Sequence, residues 1–336
     1  MRWIVLSLLV ITACSGENDT RKHRFLLKGN EALNEQHYAQ ATQYFNEALE
    51  IDTCFADALN NLGTVLFRQK AYAEALEYYS HAISCNPQFV DARLNRANTF
   101  YELNRLPDAL NDVEQILTIQ SDTLPALFLQ GLIFTKMRSY NKAQDAFLQT
   151  LKQDTSNAEV YVNLGTLSYY QKNFAEARQF LDHAMALNPK EAHAYNARSL
   201  VEAAEGNLIK ALEYVNKALT LVPGDAYFLN NRGYVYLLQD SLPLALADIN
   251  SSIATDPYNG WAYRNKGIYY LKTNDPTSAV RLLKQAIDLE PFVENGYSLL
   301  AEAYWKVGDN VKACEVWREA VNRIEDISHI KHPCDQ

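Results

Sequence analysis

The tetrapeptide Asn61-Leu62-Gly63-Thr64 returns unchanged as Asn163-Leu164-Gly165-Thr166, 102 residues further along the chain. Because this distance is three times 34, the sequence is expected to contain a repeated unit of 34 residues. Nine such units fit without a gap if the first begins at residue 22 and the last ends at residue 327. Positions within a unit are numbered 1 to 34 below.

Small residues and prolines recur at fixed positions of this unit. Position 20 is alanine in all nine units, from Ala41 to Ala313. Position 8 is glycine in six of them, namely Gly29, Gly63, Gly131, Gly165, Gly233 and Gly267. Position 32 is proline in five, namely Pro87, Pro189, Pro223, Pro257 and Pro291. These recurrences indicate that the 34-residue unit is a repeated element of the fold.

Each unit is predicted to form two helices, A and B, that pack as a hairpin. In the second unit, apolar residues recur at helical spacing in two stretches, namely Leu59, Leu62 and Leu66, then Leu76, Tyr79 and Ile83. Positions 8, 20 and 27 lie where the helices cross, and a small residue there lets the backbones approach. A proline at position 32 is expected to end helix B, since the residue before a proline avoids the α region.

Three further prolines, Pro107, Pro243 and Pro276, fall where helix B begins. The first turn of a helix tolerates proline, so these positions agree with the predicted hairpin. A single hairpin cannot bury its apolar stripe alone, and neighbouring units are therefore expected to stack.

The columns resemble the tetratricopeptide repeat, whose pattern is W-x2-L-G-x2-Y, then A-x3-F, then P. The resemblance covers 306 of the 336 residues. The first unit departs from it with Ala32 for tyrosine, and four units lack the proline, with Thr53, Ser121, Thr155 and Glu325. The resemblance implies an all-α fold, a right-handed α-solenoid of nine helix-turn-helix repeats. One continuous superhelix over residues 22–327 is expected, with a tail over 328–336.

The first 13 residues are predicted to be a signal peptide. Arg2 gives a positive start, and the apolar run from Trp3 to Ala13 is shorter than the roughly 20 residues of a membrane span. The segment Ile11-Thr12-Ala13-Cys14 resembles the lipobox of bacterial lipoproteins. That resemblance implies cleavage before Cys14, a diacylglycerol on its sulfur, and a lipidated tether over residues 14–21. An ordinary secretory signal with an incidental cysteine is the alternative.

The residue after Cys14 indicates which membrane the predicted lipid anchor would occupy. Ser15 stands there instead of aspartate, which by resemblance to enteric lipoproteins favours the outer membrane over the inner one. The expected location is therefore the bacterial cell envelope, at the periplasmic or the surface face. Two or three acyl chains would anchor the chain stably, whereas one alone is marginal.

The net charge argues against a nucleic-acid-binding protein, and the small number of residues outside the repeats argues against an enzyme. Lys and Arg number 31 and Asp and Glu 40, a net charge of −9, which disfavours a nucleic-acid groove. Only 30 residues lie outside the repeats, so no catalytic domain fits. The sequence has no Gly-rich phosphate loop, Ser-His-Asp grouping or Cys-x2-Cys pair. We therefore expect neither an enzyme nor a cofactor.

Besides Cys14, four cysteines allow three disulfide pairings, which sequence alone does not decide. Cys54 and Cys85 lie near the ends of neighbouring B helices, where a bond is plausible. Cys314 and Cys334 can pair if the tail folds over the last helix. Small buried thiols are the alternative in both cases. A metal site in the tail is a further alternative, with ligand types at His329, His332 and Cys334 and at the nearby Cys314.

In this family helix A lines the concave groove, and position 6 is one of the positions that commonly point inward. It is asparagine in five units: Asn61, Asn95, Asn163, Asn231 and Asn265. Asparagine is a mediocre helix former, and its carboxamide both donates and accepts hydrogen bonds, as an extended peptide requires. The column resembles the asparagine ladder in the repeat domain of O-linked N-acetylglucosamine transferase. Bonding to a neighbouring helix or to water is the alternative.

Larger side chains accompany this column, and the candidates for partner binding are Phe128, Tyr227, Asn230, Trp261 and Arg264. Tyr, Trp and Arg are the types that most often carry interface energy. Packing between repeats is the alternative for the aromatic residues. Basic residues at position 7 are expected to pair with acids of adjacent repeats; they are Lys28, Arg96, Arg198, Arg232 and Lys266.

The sequence thus predicts a lipid-anchored scaffold that captures protein or peptide segments in its concave groove, for assembly or recruitment of envelope complexes. The alternative is a periplasmic chaperone or adaptor that holds secretion or outer-membrane clients. No nucleic-acid partner is expected, and the oligomeric state is left open.

Overall fold

The computed structural model describes the backbone of residues 2–323, 325, 327 and 334, with side chains from residue 17 onward within these. The described part contains 18 α-helices and no strand, so the predicted all-α fold is confirmed. Residues 329 and 332 lie outside the described residues, as do the side chains of the predicted signal peptide and of Cys14, the predicted lipidation site. Among the described residues, no helix is both long enough and apolar enough to span a membrane.

The chain forms two compact units, one up to Thr155 and one from Ser156 onward. The helices of unit 1 are α1 (Arg2–Asn34), α2 (Tyr38–Ile51), α3 (Ala56–Arg68), α4 (Tyr72–Cys85), α5 (Val90–Glu102), α6 (Leu106–Ile119), α7 (Leu124–Lys136) and α8 (Tyr140–Gln153). The helices of unit 2 are α9 (Ala158–Tyr170), α10 (Phe174–Leu187), α11 (Ala192–Ala204), α12 (Leu208–Leu221), α13 (Ala226–Leu238), α14 (Leu242–Thr255), α15 (Gly260–Lys272), α16 (Pro276–Leu289), α17 (Gly296–Val307) and α18 (Asn310–Asn322). The single superhelix over residues 22–327 stays a prediction.

The helix bounds follow the predicted 34-residue unit. Odd-numbered helices from α3 to α15 occupy positions 1 to 13, and even-numbered helices from α2 to α16 occupy positions 17 to 30. The first helix differs, since α1 begins at Arg2 and runs through residues 14–21 before it forms helix A of the first repeat. The predicted tether is therefore helical.

Helices A and B of a repeat meet at the glycine of position 8. A Cβ added at Gly63 would lie 2.6 Å from a ring carbon of Tyr79, and one added at Gly233 would lie 2.8 Å from Cγ1 of Ile249. The same contact joins positions 8 and 24 in all six repeats that have this glycine. The glycines thus admit a large helix-B side chain directly against the helix-A backbone.

Two of the three repeats without this glycine have a smaller residue, valine, at position 24. Ala97 faces Val113 in the same buried cluster, and Ser199 is matched by Val215, whereas the glycines face phenylalanine, tyrosine, leucine or isoleucine. In these two repeats the smaller valine makes room for the added side chain, as close packing requires. The ninth repeat departs from this fit, with Ala301 at position 8 and Trp317 at position 24. The alanine of position 20 is fully buried in all nine repeats.

The turn from helix A to helix B uses a left-handed residue at position 15 of every repeat. Seven of these residues are not glycine, for example Lys70 with φ of 62° and Lys172 with φ of 61°, and glycine stands there only as Gly206 and Gly308. A left-handed non-glycine residue costs about 1 kcal/mol. Helix packing on both sides of the turn therefore imposes its geometry, and no glycine signal marks it in the sequence.

Helix B ends at position 30 whether or not a proline follows at position 32, as α2 and α6 show. The residue at position 31 is extended, and in four repeats its Asp or Asn side chain accepts a hydrogen bond from the backbone N–H of position 33, as Asp52 does from Cys54 and Asn86 from Gln88. Three of these Asx turns also have the proline of position 32, whereas the turn at Asp52 forms with Thr53 in its place.

The odd-numbered helices line one face of each unit. Each of them contacts its partner helix and also the next odd-numbered helix, as α11 contacts α13 and α13 contacts α15. In the described part of each unit, no two even-numbered helices make a comparable contact. The row of even-numbered helices is therefore spread apart, and the odd-numbered row forms the concave side. The surface of this row is called the inner face below.

Both disulfides considered from the sequence are present. Cys54, in the loop after α2, is bonded to Cys85 at the end of α4, with 5.4 Å between their Cα atoms. Cys314 in α18 is bonded to Cys334, with 4.9 Å between Cα atoms. The second bond attaches residue 334 to the last helix.

The packing at positions 8 and 24 predicts a stability change and its rescue. Gly233→Ala should lower the free energy of unfolding by about 1–3 kcal/mol, because its Cβ collides with Ile249. Adding Ile249→Val should recover part of this loss, since Ala97 and Val113 already form that pair. Urea unfolding followed by circular dichroism checks this. A double variant less stable than Gly233→Ala would contradict the proposed fit.

Candidate partner-binding face

Side-chain amides form a continuous hydrogen-bonded chain along the inner face of unit 2. Asn231 donates from Nδ2 to Oδ1 of Asn196 at 3.0 Å, and Asn230 donates to Oδ1 of Asn231 at 3.3 Å. Asn265 then donates to Oδ1 of Asn230 at 2.8 Å. These hydrogen bonds connect α11, α13 and α15. In every bond between repeats, the donor belongs to the later repeat and the acceptor to the earlier one. We call this set the unit 2 relay.

Arg264 closes the acceptor end of the relay. Its Nη1 donates to Oδ1 of Asn265 at 2.8 Å, and its Nε donates to the backbone oxygen of Glu294 at 2.7 Å. The guanidinium carbon lies 5.2 Å from the ring centre of Tyr234 and 5.9 Å from that of Trp261. Since Arg264 is 5% exposed, these contacts make it a rigid link between α15 and the segment before α17.

Unit 1 carries a relay of four asparagines with the same direction. Asn61 donates to Oδ1 of Asn30 at 2.6 Å, Asn60 donates to Oδ1 of Asn61 at 3.1 Å, and Asn95 donates to Oδ1 of Asn60 at 2.9 Å. The bonds join α1, α3 and α5. The same chemistry thus holds the odd-numbered helices together in both units.

Four of the five asparagines of position 6 therefore bond to other asparagines, at position 5 or, for Asn61, also at position 9. Asn265 is 2% exposed and Asn230 is equally buried, so in this structure both serve the contact between helices. Asn61, Asn95 and Asn231 are half-buried and keep a second amide N–H for a partner. Asn163 differs, because its Nδ2 donates to the Glu159 carbonyl in its own helix.

Three members of the relays were not predicted from the sequence. Asn30 stands at position 9, and Asn60 and Asn196 stand at position 5. The available signal was a second asparagine column: position 5 holds Asn60, Asn196 and Asn230. An asparagine at position 5 bonds to the asparagine at position 6 of the next repeat, 35 residues later.

The pKa values of two tyrosines show that parts of the inner face of unit 2 lie close to carboxylates. Burial raises the pKa of Tyr169 well above its ordinary value, and the negative charge of Glu294 acts in the same direction. Partial burial of its phenol, with the negative charges of Asp256 and Glu290, raises the pKa of Tyr227. Both hydroxyls are therefore neutral at physiological pH. The surroundings of Tyr227 are acidic and favour a positively charged group.

The aromatic candidates differ in accessibility. Tyr227 is 52% exposed, and Trp261 is half-buried beside Arg264. Phe128, in unit 1, is half-buried and lies 5.7 Å from the ring centre of Phe147 in the core. On the inner face of unit 2, Tyr227 and Trp261 are thus the predicted residues best placed to meet a partner.

The basic residues of position 7 pair differently from the expectation. Arg96 forms a two-pronged ion pair with Asp112, with both N···O distances 2.7 Å, and Arg232 forms the same pair with Asp248 at 2.6 and 2.9 Å. In both cases the carboxylate belongs to helix B of the same repeat. Only Arg198 among these three bonds to a carboxylate of the preceding repeat. The expectation of adjacent-repeat acids is thus wrong for Arg96 and Arg232, because position 23 of the same hairpin is nearer.

The repeated hairpin is shared with known proteins. Models of the tetratricopeptide repeat match residues 24–53, 56–89, 135–201 and 264–326. No curated protein matches the sequence. Among solved structures, pilF of Pseudomonas aeruginosa is 20% identical, with a TM-score of 0.56 over 63% of this chain and 96% of that one. A monomeric IFIT1 mutant with Gppp-AAAA is 18% identical, with a TM-score of 0.58 over 82% of this chain and 69% of that one. At these identities the likeness concerns the fold alone.

The relay predicts that two asparagines of the same column differ in their effect on stability. Asn265→Ala should cost about 1–3 kcal/mol of unfolding free energy, because it leaves the buried Asn230 carbonyl and an Arg264 N–H without partners. Asn163→Ala should change stability by no more than about 0.5 kcal/mol, since its amide bonds only within its own helix. Urea denaturation of both variants provides the comparison. Equal losses would show that the relay does not stabilise unit 2.

Proposed function

Because the chain belongs to the tetratricopeptide-repeat family, we propose that it is a protein-interaction scaffold that binds a polypeptide segment on the inner face of unit 2. The observation that carries this proposal is the placement of Tyr227 and Trp261 on helices that the unit 2 relay holds together. Aromatic residues on a rigid support lose little conformational freedom on binding and are frequent interface anchors.

The chemistry of the partner follows from the surroundings of these anchors. Tyr227 presents a half-exposed ring beside the carboxylates of Asp256 and Glu290. A segment with an apolar side chain next to a lysine or arginine would match the ring and the negative charge together. The second amide N–H of Asn231 can bond to a backbone carbonyl of that segment, which adds affinity without dependence on sequence.

We also propose that a lipid on Cys14 attaches this scaffold to the bacterial cell envelope, with the outer membrane favoured. The support is the lipobox-like segment ending at Cys14 and the serine that follows it. Anchoring would keep a bound partner near the membrane at raised local concentration. Assembly or recruitment of envelope complexes is the role that combines an anchor with an interaction face.

Loss of the two anchors should abolish capture of a specific partner. Proteins captured from the cell envelope are identified by mass spectrometry, and the affinity of each enriched one is then measured with purified components. Tyr227→Ala/Trp261→Ala should weaken binding by about 30-fold or more, as loss of a 2 kcal/mol anchor does. Leu244→Ala is the matched control, because Leu244 is 53% exposed but lies on α14, outside the inner face.

Charge and apolar contact can be tested separately. Asp256→Asn removes a negative charge and keeps the oxygen that accepts from the Tyr258 backbone N–H, as Asn86 does in its own repeat. It should lower the association rate and its dependence on salt. Equal binding by the wild type and the double anchor variant would refute the inner-face proposal. Weak capture of many proteins that is insensitive to the anchors would favour the chaperone alternative.

The anchor is tested by Cys14→Ser in the full chain. Because only the thiol can accept the diacylglycerol, the variant should incorporate no labelled fatty acid and should leave the membrane fraction. Ser15→Ala serves as the control and should remain labelled. Labelling of Cys14→Ser equal to that of the wild type would exclude this cysteine as the modified residue.

A further inference from the structure

One histidine lies beside the disulfide of unit 1. The ligand atoms of Cys54, His81 and Cys85 all lie within 4.8 Å of one another, and among the described residues no other group of three His, Cys, Asp or Glu side chains gathers in this way. Cys54 and His81 are exposed and Cys85 is half-buried, so the cluster is open to solvent. Neither the scaffold function nor a structural disulfide requires the histidine.

The backbone holds these three residues near one another independently of the sulfur–sulfur bond. His81 and Cys85 are four residues apart in α4 and therefore share a helix face. Cys54 lies in the loop between α2 and α3, where its backbone N–H donates to Oδ1 of Asp52 at 3.1 Å. Asp52 is in turn bonded to Lys22 of α1 at 2.8 Å. Both ligand-bearing segments are thus fixed by other contacts.

We propose that, in the reduced protein, Cys54, Cys85 and His81 bind one thiophilic divalent ion, with Zn²⁺ the best match. Two thiolates and an imidazole are a common ligand set for zinc, and a water molecule would complete the tetrahedron. With Zn–S near 2.3 Å and Zn–N near 2.0 Å, ligand atoms in such a site lie roughly 3.3–3.8 Å apart. The sulfurs reach this spacing when the bond between them opens.

Conversion of the disulfide into the metal site requires one external reductant. A dithiol gives two electrons and two protons to the Cys54–Cys85 bond and itself becomes a disulfide. The ion then displaces the two thiol protons, so binding releases two protons and strengthens as pH rises. In the reverse direction, an external disulfide takes two electrons from the two thiolates and two protons from solvent and becomes a dithiol, while the Cys54–Cys85 bond re-forms and the ion is released. The same site therefore alternates between a disulfide and a metal centre.

Cobalt(II) is the probe, since thiolate ligation gives it a charge-transfer band and intense visible bands. The full chain is reduced with a trialkylphosphine, freed of reagent without oxygen, and titrated with Co²⁺ and then with Zn²⁺. The expected result is one tetrahedral Co²⁺ per chain, displaced by Zn²⁺, and no such spectrum without reduction. Absence of the thiolate band in the reduced wild type would overturn the proposal.

Variants assign the ligands. Cys54→Ser/Cys85→Ser should abolish the spectrum, whereas Cys314→Ser/Cys334→Ser should retain it, and Cys14 is present in both. His81→Ala should weaken Co²⁺ binding by about tenfold or more, since even supporting residues of metal sites contribute that much. His37→Ala is the control for an exposed histidine elsewhere in unit 1. A spectrum that survives loss of Cys54 and Cys85, or an unchanged affinity in His81→Ala, would refute this ligand set.

Discussion

The close approach of two helices within each repeat is the constraint on which the rest of this structure depends. A glycine at position 8 lets a bulky helix-B side chain lie against the helix-A backbone, as Gly63 does for Tyr79. In two of the three repeats that lack the glycine, a valine such as Val113 restores the space. This fit makes the hairpins of the first eight repeats alike. It thereby allows neighbouring hairpins within a unit to stack with the same contacts each time.

Stacking by apolar contact alone leaves the inner row of helices without polar links. The amide relays supply them, because each buried asparagine both donates and accepts and is satisfied by its neighbours. A bond between positions 5 and 6 of successive repeats needs the helices in one register. The relays therefore add specificity to the packing. In unit 2, Arg264 and its two aromatic neighbours extend this order to the surface that a partner would meet.

The asparagine column shows how far a sequence pattern can predict a site. Helix propensity does not favour the excess of asparagine at position 6, and four of these five side chains form hydrogen bonds between helices. The pattern does not reveal that Asn265 is buried against Asn230, because the two residues are 35 positions apart and meet only when the repeats stack. The half-buried Asn231 bonds within the relay and keeps a second amide N–H that can donate to a partner. Likewise, Arg232 could not be assigned to Asp248 before the hairpin placed them together.

The sequence by itself determined the 34-residue period, the two helices of each repeat and the crossing positions, because these depend on contacts local to one hairpin. It also marked the cysteines and the asparagine column. Only the tertiary structure decided the left-handed turns at residues such as Lys70, the direction of the relays and the gathering of His81 with Cys54 and Cys85. The physical reason is that these features arise where separate elements meet. Their geometry is set by packing across repeats or against both sides of a turn, and no local preference of the residues encodes it.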